Sequence, residues 1–372
     1  MRVLIVIDAL RMGGAETLLV PLASAAREAG IEMEFVSISP RSMASDQMIT
    51  VLRRAGIQPR FLGVRRLLDP TALPRLVQEI RRSRCDVVHA HLEMATTLAV
   101  PAAALAARRA VCTFHNVAYP LTGRTARRER LAVEVASRGH RVLFISEASR
   151  ESFRRAYRRN GVPASWSVVP NGVDLSAYAP GDADPAVRSE LGGGIGPLVV
   201  LPAALRPFKG IPLAIEAWLN VLERCPGAVL ALVGAGELEQ QLRALVAERN
   251  LAGSVVFAGF RTDMPRVFRA ADLVLLPSTR ENLPTVLIEA AGVGRAVAAS
   301  RVGAIPEVVR DGQTGLLFDS GDPRSLADAV VTLLRDAGMR RRLAEAGPDW
   351  ARRQFCSRAW IHTLRGVYDS AT

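Results

Sequence analysis

Lysine is almost absent from this sequence of 372 residues, which has 47 arginines but only one lysine, Lys209. Arginine and lysine serve about equally well on a solvated surface, so a chain that uses arginine everywhere else is expected to keep one lysine for a specific task. A compact ammonium group suits a phosphate, towards which lysine acts as a point charge. A coding bias that suppresses lysine is the alternative, and Lys209 would then have survived by chance.

Cysteines, aromatic residues and long apolar runs are also scarce, and each shortage excludes a class of protein. The four cysteines are dispersed, without a CxxC pair or nearby histidines, so neither a disulfide framework nor a zinc site is expected. Aromatic residues make up only 5% of the chain, whereas nucleic-acid readers usually interleave them with basic residues. No apolar run reaches the roughly 18 residues of a membrane span, and the N-terminus lacks a signal-peptide pattern. We therefore expect a cytoplasmic protein with reduced cysteines.

The net charge of +12 is concentrated in the first half of the chain. Residues 1–170 hold 26 arginines against 14 acidic residues, whereas residues 171–372 hold 22 basic and 22 acidic residues. Like charges packed this closely repel one another unless an anion compensates them, so an anionic partner is predicted; solubility through net charge is the alternative. The main clusters are Arg53 and Arg54; Arg65 and Arg66; Arg81, Arg82 and Arg84; Arg124, Arg127, Arg128 and Arg130; and Arg154, Arg155, Arg158 and Arg159.

Short apolar runs alternate with longer amphipathic segments in both halves of the chain. This alternation predicts an α/β protein with two Rossmann-like parallel-sheet domains that face one another across a cleft. The predicted domains are 1–175 and 197–356, joined by a non-periodic linker at 176–196, and a C-terminal helix at 357–372 is expected to pack back on the first domain. Predicted strands cover 3–7, 33–38, 87–90, 111–114, 142–145, 198–201, 228–233, 255–258, 273–276 and 296–299, and one long helix is predicted over 15–29.

Arg206 and Lys209 lie in the loop between the predicted strand 198–201 and a helix that begins near Gly210. Ligands of open α/β sheets bind beyond the carboxyl ends of the strands, and a helix N-terminus favours anions. Two cations at that place predict a diphosphate site, with two ordinary surface charges as the alternative.

Two carboxylates, Glu281 and Glu289, flank the start of a helix for which Pro284 is a suitable first residue. Such a pair can accept hydrogen bonds from vicinal hydroxyls of sugar rings, which is polyol chemistry rather than metal chemistry. For Glu281, a carboxylate that only stabilises the helix N-terminus is the alternative. Glu289 is harder to explain in that way, because its neighbours in the sequence are apolar.

These residues form part of an ordered set of short motifs. The second half contains Arg206-x-x-Lys209-Gly210, Pro277-Ser278-x-x-Glu281-x7-Glu289-Ala290, Gly303-x-x-Pro306-Glu307-Val308 and Asp311-Gly312-x-Thr314-Gly315. The first half contains Gly13-Gly14-Ala15-Glu16, His89-Ala90-His91, Thr113-Phe114-His115 and Pro170-Asn171-Gly172-Val173-Asp174. In this order and at these spacings the set resembles the family 4 glycosyltransferases of the GT-B fold, over essentially the whole chain.

The resemblance implies a retaining transferase with a nucleotide-diphosphate sugar as donor substrate, held mainly by the second domain, and with neither cofactor nor metal. It implies that Arg206 and Lys209 bind the diphosphate and stabilise the departing nucleotide. Glu281 would hold the donor sugar and Glu289 the ribose. The main chain near Gly259-Phe260-Arg261 would contact the base. The other residues implied in donor binding are Gly13, Gly14, Arg261, Asn282, Leu283 and Pro284.

Histidines and an asparagine supply the polar groups of the first domain. His115 follows the predicted strand 111–114, and the resemblance implies that it contacts the donor sugar and takes part in catalysis; a histidine hydrogen-bonded at a strand end is the alternative. His89, His91 and Asn171 are candidates for the acceptor side; for the two histidines, structural roles are the favoured alternative.

Two features depart from the expected pattern. Asn282-Leu283-Pro284 stands where many family members have a Gly-Phe-Gly-like run, and this difference leaves the donor sugar open. Asp182-Ala183-Asp184 matches the Asp-x-Asp motif of metal-dependent glycosyltransferases, but it lies in the predicted linker with no strand before it, so we interpret it as a chance match.

Three other functions compete with this interpretation. A dinucleotide-dependent oxidoreductase would need a GxGxxG motif, which Gly13-Gly14 does not complete. A basic nucleic-acid-binding protein fits the pI of about 10.8, but the arginine clusters mostly lack aromatic residues. A sugar epimerase or phosphorylase of the same fold remains open.

The asymmetric charge suggests where the acceptor lies. An arginine-rich first domain would be attracted to anionic lipid at about 1 kcal/mol per basic residue near the surface. We therefore predict a glycan or lipid-linked acceptor, in polysaccharide or glycolipid synthesis, and peripheral contact with the inner face of the plasma membrane.

Overall fold

The computed structural model describes residues 1–11, 13–118, 122–158, 161–194 and 196–371. The chain forms two compact units, Met1–Val173 with Ser357–Thr372, and Asp174–Cys356. Each unit is built on one sheet whose strand pairs are all parallel. Within the described residues, no helix is both long and apolar enough to cross a bilayer.

The first unit has a seven-stranded sheet in the order β3-β2-β1-β4-β5-β6-β7. Its strands are continuously apolar where both faces are covered, as in residues 3–7, each at most 1% exposed. The strands are β1 Arg2–Ile7, β2 Glu32–Ser37, β3 Arg60–Phe61, β4 Val87–His91, β5 Arg109–Phe114, β6 Arg141–Phe144 and β7 Trp166–Val168.

Helices cover both faces of this sheet. They are α1 Gly14–Thr17, α2 Leu19–Glu28, α3 Asp46–Arg54, α4 Ala72–Ser83, α5 Glu93–Leu105, α6 Gly123–Ala136 and α7 Glu147–Tyr157, with a 3₁₀ turn at Arg41–Met43. One core layer lies between the sheet and α4, α5 and α6, and a second lies on the opposite face with α2 and α3.

The second unit has a six-stranded sheet in the order β10-β9-β8-β11-β12-β13. Its strands are β8 Leu198–Pro202, β9 Val229–Val233, β10 Val255–Gly259, β11 Leu273–Leu276, β12 Val297–Ser300 and β13 Leu316–Phe318. Its helices are α8 Pro185–Glu190, α9 Ile211–Arg224, α10 Glu239–Glu248, α11 Met264–Ala270, α12 Thr285–Gly292, α13 Ile305–Val308, α14 Pro323–Arg335 and α15 Ala337–Phe355, with a 3₁₀ turn at Pro207–Lys209.

The last helix, α16 Ser357–Asp369, belongs to the first unit. Its apolar side adds Trp360, Ile361, Leu364 and Tyr368 to the core layer that contains α2 and α3. Gly172 makes this docking possible, because a Cβ there would lie 2.7 Å from the Cβ of Trp360. The helix thus completes the core of a unit whose other residues all lie before residue 174.

The predicted class of two parallel-sheet α/β domains is confirmed, but three local predictions differ from the structure. The segment predicted as a linker carries α8, whose N-terminus is capped by the Asp184 carboxylate, and it packs within the second unit through Val187 and Leu191. The helix predicted over 15–29 is divided at Leu18 into α1 and α2. The short strands β3, β7 and β13 and helix α3 were not predicted.

Candidate active site

The loops that follow β8 and β11 meet at the carboxyl edge of the second sheet. Thr279 N donates to the carbonyl of Phe208 at 2.8 Å, which ties the two loops together. Gly210 is in the left-handed region at φ 67°, and a Cβ there would lie 1.9 Å from the carbonyl oxygen of Pro277. Only glycine fits this close approach, which carries Lys209 to the loop of Glu281.

Lys209 and Glu281 form an ion pair, with 2.6 Å between Nζ and Oε1. The side chains are 18% and 9% exposed, respectively, and Ser278 Oγ donates to the same Glu281 oxygen at 2.7 Å. The two residues predicted to hold the diphosphate and the sugar are therefore in direct contact. A diphosphate that binds Lys209 must share this ammonium group with Glu281 or take its place.

Arg206 provides a second cation beside this pair. It precedes the 3₁₀ turn that contains Lys209, and its side chain is exposed. No ion pair or hydrogen bond to its guanidinium group is found among the described residues. The loop therefore offers one positive charge already held by a carboxylate and one that faces solvent.

Glu289 lies in the second turn of α12 and is largely buried. Burial raises the pKa of Glu289 to about 7, and a hydrogen bond from the hydroxyl of Tyr178 opposes this rise. This carboxyl group is therefore partly protonated near neutral pH.

The residues between the two glutamates form a short connection into α12. Pro284 is buried and is the N-cap of the helix rather than its predicted first residue, and Asn282 and Leu283 are partly buried. The loop after β12 approaches from the other side, where a Cβ on Gly303, at φ 51°, would lie 1.8 Å from the carbonyl oxygen of Glu281. The Glu281 main chain thus lies directly against the loop of Gly303.

The side chain of Arg261 is held by carboxylates of the protein, whereas its predicted contact with the base runs through the main chain. Its Nε and Nη2 donate to Asp263 at 2.8 and 2.7 Å, and its Nη1 donates to Glu190 at 2.7 Å. The guanidinium group is therefore used within the protein. The neighbouring Phe260 is 72% exposed at the end of β10.

In the first unit, three histidines stack at the carboxyl ends of β4 and β5. The ring centroids of His89 and His91 are 4.2 Å apart, and those of His91 and His115 are 5.1 Å apart. His91 Nδ1 lies 2.8 Å from His115 Nε2, and Asn171 Nδ2 lies 3.4 Å from His115 Nδ1. His91, His115 and Asn171, which were predicted from separate motifs, are thus brought together. Both ring nitrogens of His115 lie near a polar partner.

His89 is completely buried behind the other two histidines. Its Nδ1 lies 2.7 Å from the hydroxyl of Tyr368 on α16, and its Nε2 lies 2.7 Å from Thr113 Oγ1. Burial lowers the pKa of His89 to about 3 and that of His115 to about 4, and it holds the pKa of His91 well below its usual value. The stack is therefore neutral at physiological pH.

Gly13 and Gly14 lie at the start of α1, where Gly13 is the N-cap in an extended conformation. A Cβ on Gly13 would lie 2.4 Å from Oε2 of Glu16. On the same edge of the sheet, Asp8 follows β1 and accepts hydrogen bonds from the main-chain N–H groups of Ala95 and Met94, at 2.6 and 3.2 Å. Asp8 thus caps α5 from a neighbouring strand.

Sequence reasoning missed Asp8, Tyr178, Ser278 and Tyr368 as parts of these arrangements. Asp8 could have been identified from the sequence, because it is an acidic residue that directly follows an apolar strand. Ser278 stands in a quoted motif without an assigned role. Tyr178 and Tyr368 lie about 110 and 280 residues from their partners in the chain, and nothing in the local pattern distinguishes them.

Comparison with known proteins supports the resemblance. Residues 12–177 match the family described as Glycosyltransferase Family 4, and residues 196–336 match Glycosyl transferases group 1. The two matches together span most of the chain, one in each unit. The resemblance to glycosyltransferases is thus confirmed in both units, by a Glycosyltransferase Family 4 domain in the first and a Glycosyl transferases group 1 domain in the second.

Two relatives are similar over part of the chain. A D-inositol 3-phosphate glycosyltransferase of Corynebacterium efficiens is 34% identical over 56% of this chain and 52% of its own length. A GDP-mannose-dependent alpha-(1-6)-phosphatidylinositol monomannoside mannosyltransferase of Mycolicibacterium smegmatis is 34% identical over 56% of this chain and 57% of its own length. The chain thus covers only about half the length of these relatives.

Solved structures match over the full length. HepE of Anabaena, crystallised in complex with UDP, has a TM-score of 0.85 and 25% identity, with 100% of both chains covered. A glycosyltransferase of Rickettsia africae has a TM-score of 0.81 at 16% identity, with 99% of this chain and 98% of that chain covered. The predicted GT-B fold is confirmed.

Proposed function

We propose that this protein transfers a sugar, with retention of anomeric configuration, from a nucleotide-diphosphate sugar to a glycan or lipid-linked acceptor. The observation that carries the proposal is the contact between Lys209 and Glu281 at the carboxyl edge of the second sheet. A cation for the diphosphate and a carboxylate for the sugar hydroxyls lie 2.6 Å apart there, in a family whose members are glycosyltransferases.

Each charged group has a distinct task in this proposal. Lys209 and Arg206 offset the negative charge that develops on the nucleoside diphosphate as the glycosidic bond breaks, which is where fixed cations accelerate a reaction most. Glu281 accepts hydrogen bonds from the donor sugar, and Glu289 accepts them from the ribose. His115, neutral and held by His91 and Asn171, contacts the sugar from the first unit.

UDP-sugars and GDP-sugars are the proposed donors. One relative is named for its use of GDP-mannose, and HepE was crystallised with UDP. Only a ligand that binds the folded state raises its stability, so a thermal-shift comparison of UDP, GDP and ADP identifies the base. We expect UDP or GDP to raise Tm, and incubation with the matching labelled sugar donor to yield free nucleotide and a glycosylated acceptor. If neither nucleotide raises Tm, the donor assignment is wrong.

An anionic, membrane-presented acceptor is proposed for the first unit. The names of two relatives give an inositol phosphate and an inositol lipid as their substrates, and both molecules are anionic. The arginines of α6 fit such a ligand, because all four are exposed and form no ion pair within the described residues: Arg124, Arg127, Arg128 and Arg130. Leu131 on the same helix is 44% exposed.

Unlike the arginines of α6, those of the α7 cluster pair with acidic residues of the protein. This difference makes the predicted membrane surface smaller. Arg154 and Arg155 pair with Glu151, and Arg158 pairs with Glu134 at 2.6 Å. Acids within the protein therefore compensate this cluster, while its fourth predicted member, Arg159, lies outside the described residues. We accordingly place the peripheral contact with the cytoplasmic leaflet at α6 rather than at the cluster of α7.

A further inference from the structure

A direct contact between two ring nitrogens joins His91 to His115. The distance between His91 Nδ1 and His115 Nε2 is 2.8 Å. At this distance one nitrogen must carry a hydrogen and donate it, while the other must be unprotonated and accept it. The pair therefore has two possible arrangements, in which either His91 or His115 is the donor.

Asn171 selects between these two arrangements. Its Nδ2 lies 3.4 Å from His115 Nδ1, and an amide nitrogen donates hydrogens but does not accept them. His115 Nδ1 is therefore the acceptor of that contact and carries no hydrogen. The one N–H group of the His115 ring then lies at Nε2 and donates to His91 Nδ1. His91 in turn carries its own hydrogen on Nε2.

The rest of the first unit holds His91 in place to accept this hydrogen. His91 is the last residue of β4, opposite Thr113 of β5 in the parallel register, and is only 2% exposed. The ring of His89 packs against it, with 4.2 Å between the ring centroids. His89 is itself fixed by contacts of 2.7 Å with the hydroxyls of Tyr368 and Thr113. The acceptor for His115 thus lies in the buried framework of the unit.

The two ring nitrogens of His115 therefore differ in what they can offer a ligand. His115 is partly exposed, but its Nε2 points to the nearly buried ring of His91. The contact of Nδ1 with Asn171 is long for a hydrogen bond, for which about 3 Å is usual, and is correspondingly weak. A hydroxyl group can replace the amide as the donor to Nδ1, while Nε2 remains bonded to His91.

We propose that His91 is a positioning residue, which accepts the Nε2 hydrogen of His115 and so presents His115 Nδ1 to the donor sugar as a hydrogen-bond acceptor. This inference rests on the proposed function, in which His115 contacts that sugar. The sugar must then offer a hydroxyl group as the donor at this point. With its hydrogen on Nδ1, the same ring would instead select for an acceptor. His91 acts on the sugar only through His115.

The hydrogen positions can be measured by NMR on the full chain without a ligand. Long-range proton–nitrogen correlation spectra of protein labelled with nitrogen-15 histidine distinguish the two forms of each neutral ring. The signals are assigned by their loss in His91→Asn and His115→Asn. We expect both His91 and His115 to carry the hydrogen on Nε2. A hydrogen on His115 Nδ1 would overturn the proposal.

Two substitutions of His91 test the consequence for transfer. His91→Phe keeps a ring in the stack but removes the acceptor, so the hydrogen of His115 should distribute over both of its ring nitrogens. We expect kcat/KM for the donor to fall by about tenfold, the usual worth of one hydrogen bond. His91→Asn keeps an acceptor oxygen near the place of Nδ1 and should restore most of this loss. The Kd for UDP and GDP, which lack the sugar, should stay the same in both variants.

His362→Phe is the matched control, because it replaces an exposed histidine of α16 in the same unit. Its kcat/KM should equal that of the unmodified protein. An unchanged His115 hydrogen and full kcat/KM in His91→Phe would contradict the positioning role, as would a loss that His91→Asn does not restore. If the unmodified protein binds neither UDP nor GDP, the donor site itself is wrong and the sugar contact falls with it, whatever hydrogen positions the spectra show.

Discussion

Lys209 is the residue on which the donor site depends most directly, because its ammonium group is the one cation held at the Glu281 carboxylate in the part of the chain that the structure describes. Replacing Lys209 by alanine removes a charge that stabilises the leaving diphosphate. We expect kcat at saturating donor to fall by about 10²- to 10³-fold, the usual cost of losing one such group. Steady-state kinetics measure this directly.

Arg224→Ala is the control for that substitution. It removes a surface cation of the same unit, paired with Asp328 at the opposite end of α9 from Lys209. Its kcat should remain within a factor of two of the unmodified value, as exposed ion pairs contribute about 0–1 kcal/mol. Equal losses of kcat in the Lys209 and Arg224 variants would show that Lys209 acts on stability rather than on transfer.

The single lysine also allows a chemical test. An amine-reactive reagent has two targets in this sequence, Lys209 and the α-amino group. We expect modification of Lys209 to abolish transfer and to be slowed by UDP or GDP, because the diphosphate covers the ammonium group. Peptide mass spectrometry with and without nucleotide measures the protection. Equal labelling of Lys209 under both conditions would contradict its contact with the diphosphate.

The motifs predicted Lys209 and Glu281 separately, as ligands of different parts of the donor. Their contact could not be predicted, because it depends on the close approach of two loops that Gly210 permits. Tyr178 was beyond prediction for a related reason. Its partner lies on a different element, and a segment without periodicity gives no indication of the direction of its side chains.

At the scale of elements, Asp8 joins β1 to the N-terminus of α5. The helix has no side-chain cap of its own, since its N-cap residue is Leu92, at φ 73°. Asp8→Ala leaves two main-chain donors without their partner and should lower the free energy of unfolding by about 1–2 kcal/mol. Asp8→Asn keeps one acceptor oxygen and should cost less. Urea denaturation of both variants gives the comparison.

The same carboxyl group makes stability depend on pH. Burial raises the pKa of Asp8 to about 6, from 3.8 in the unfolded chain. The contribution of Asp8 to the free energy of unfolding is therefore fully present below about pH 4. It is lost as the pH rises through about 6. The difference in unfolding free energy between the unmodified protein and Asp8→Asn should shrink across this range. A constant difference would show that Asp8 keeps its ordinary pKa.

The central strands could be predicted because they are continuously apolar, as strands covered on both faces must be. β3 and β13 lie at sheet edges and have only two and three residues, so they give no periodic signal. Helix α8 has six residues and was hidden for the same reason. Its cap, Asp184, belongs to the Asp-x-Asp motif and also pairs with Arg266, which gives that aspartate a structural role.

At the scale of the whole molecule, the two units differ strongly in charge. The first unit holds 28 arginines and 15 acidic residues, and the second holds 20 basic and 21 acidic residues. With a net charge of +13 against −1, the proposed attraction to anionic lipid would come from the first unit. The sequence predicted this asymmetry, but not which arginines are compensated, because Arg158 and Glu134 are 24 residues apart in the chain.

Liposome flotation tests the surface at α6. The double substitution Arg127→Glu and Arg128→Glu should lower partition onto vesicles with anionic lipid by more than about tenfold, at about 1 kcal/mol per basic residue. Neutral vesicles should show little binding of either protein. The matched control is Arg341→Glu with Arg342→Glu, two exposed arginines of α15 in the second unit. Equal losses in the two variants would contradict a specific membrane surface at α6.

The return of α16 to the first unit also determines the order in which the protein can mature on the ribosome. Residues 174–356 are synthesised before α16, so the second unit can fold while the first still lacks one of its layers. Until Trp360 and Leu364 emerge, the core layer beneath them remains open to water, and His89 lacks its hydrogen bond with Tyr368. The unit that begins first in the chain is therefore completed after the second unit, and His89 gains its tyrosine partner only once α16 has been synthesised.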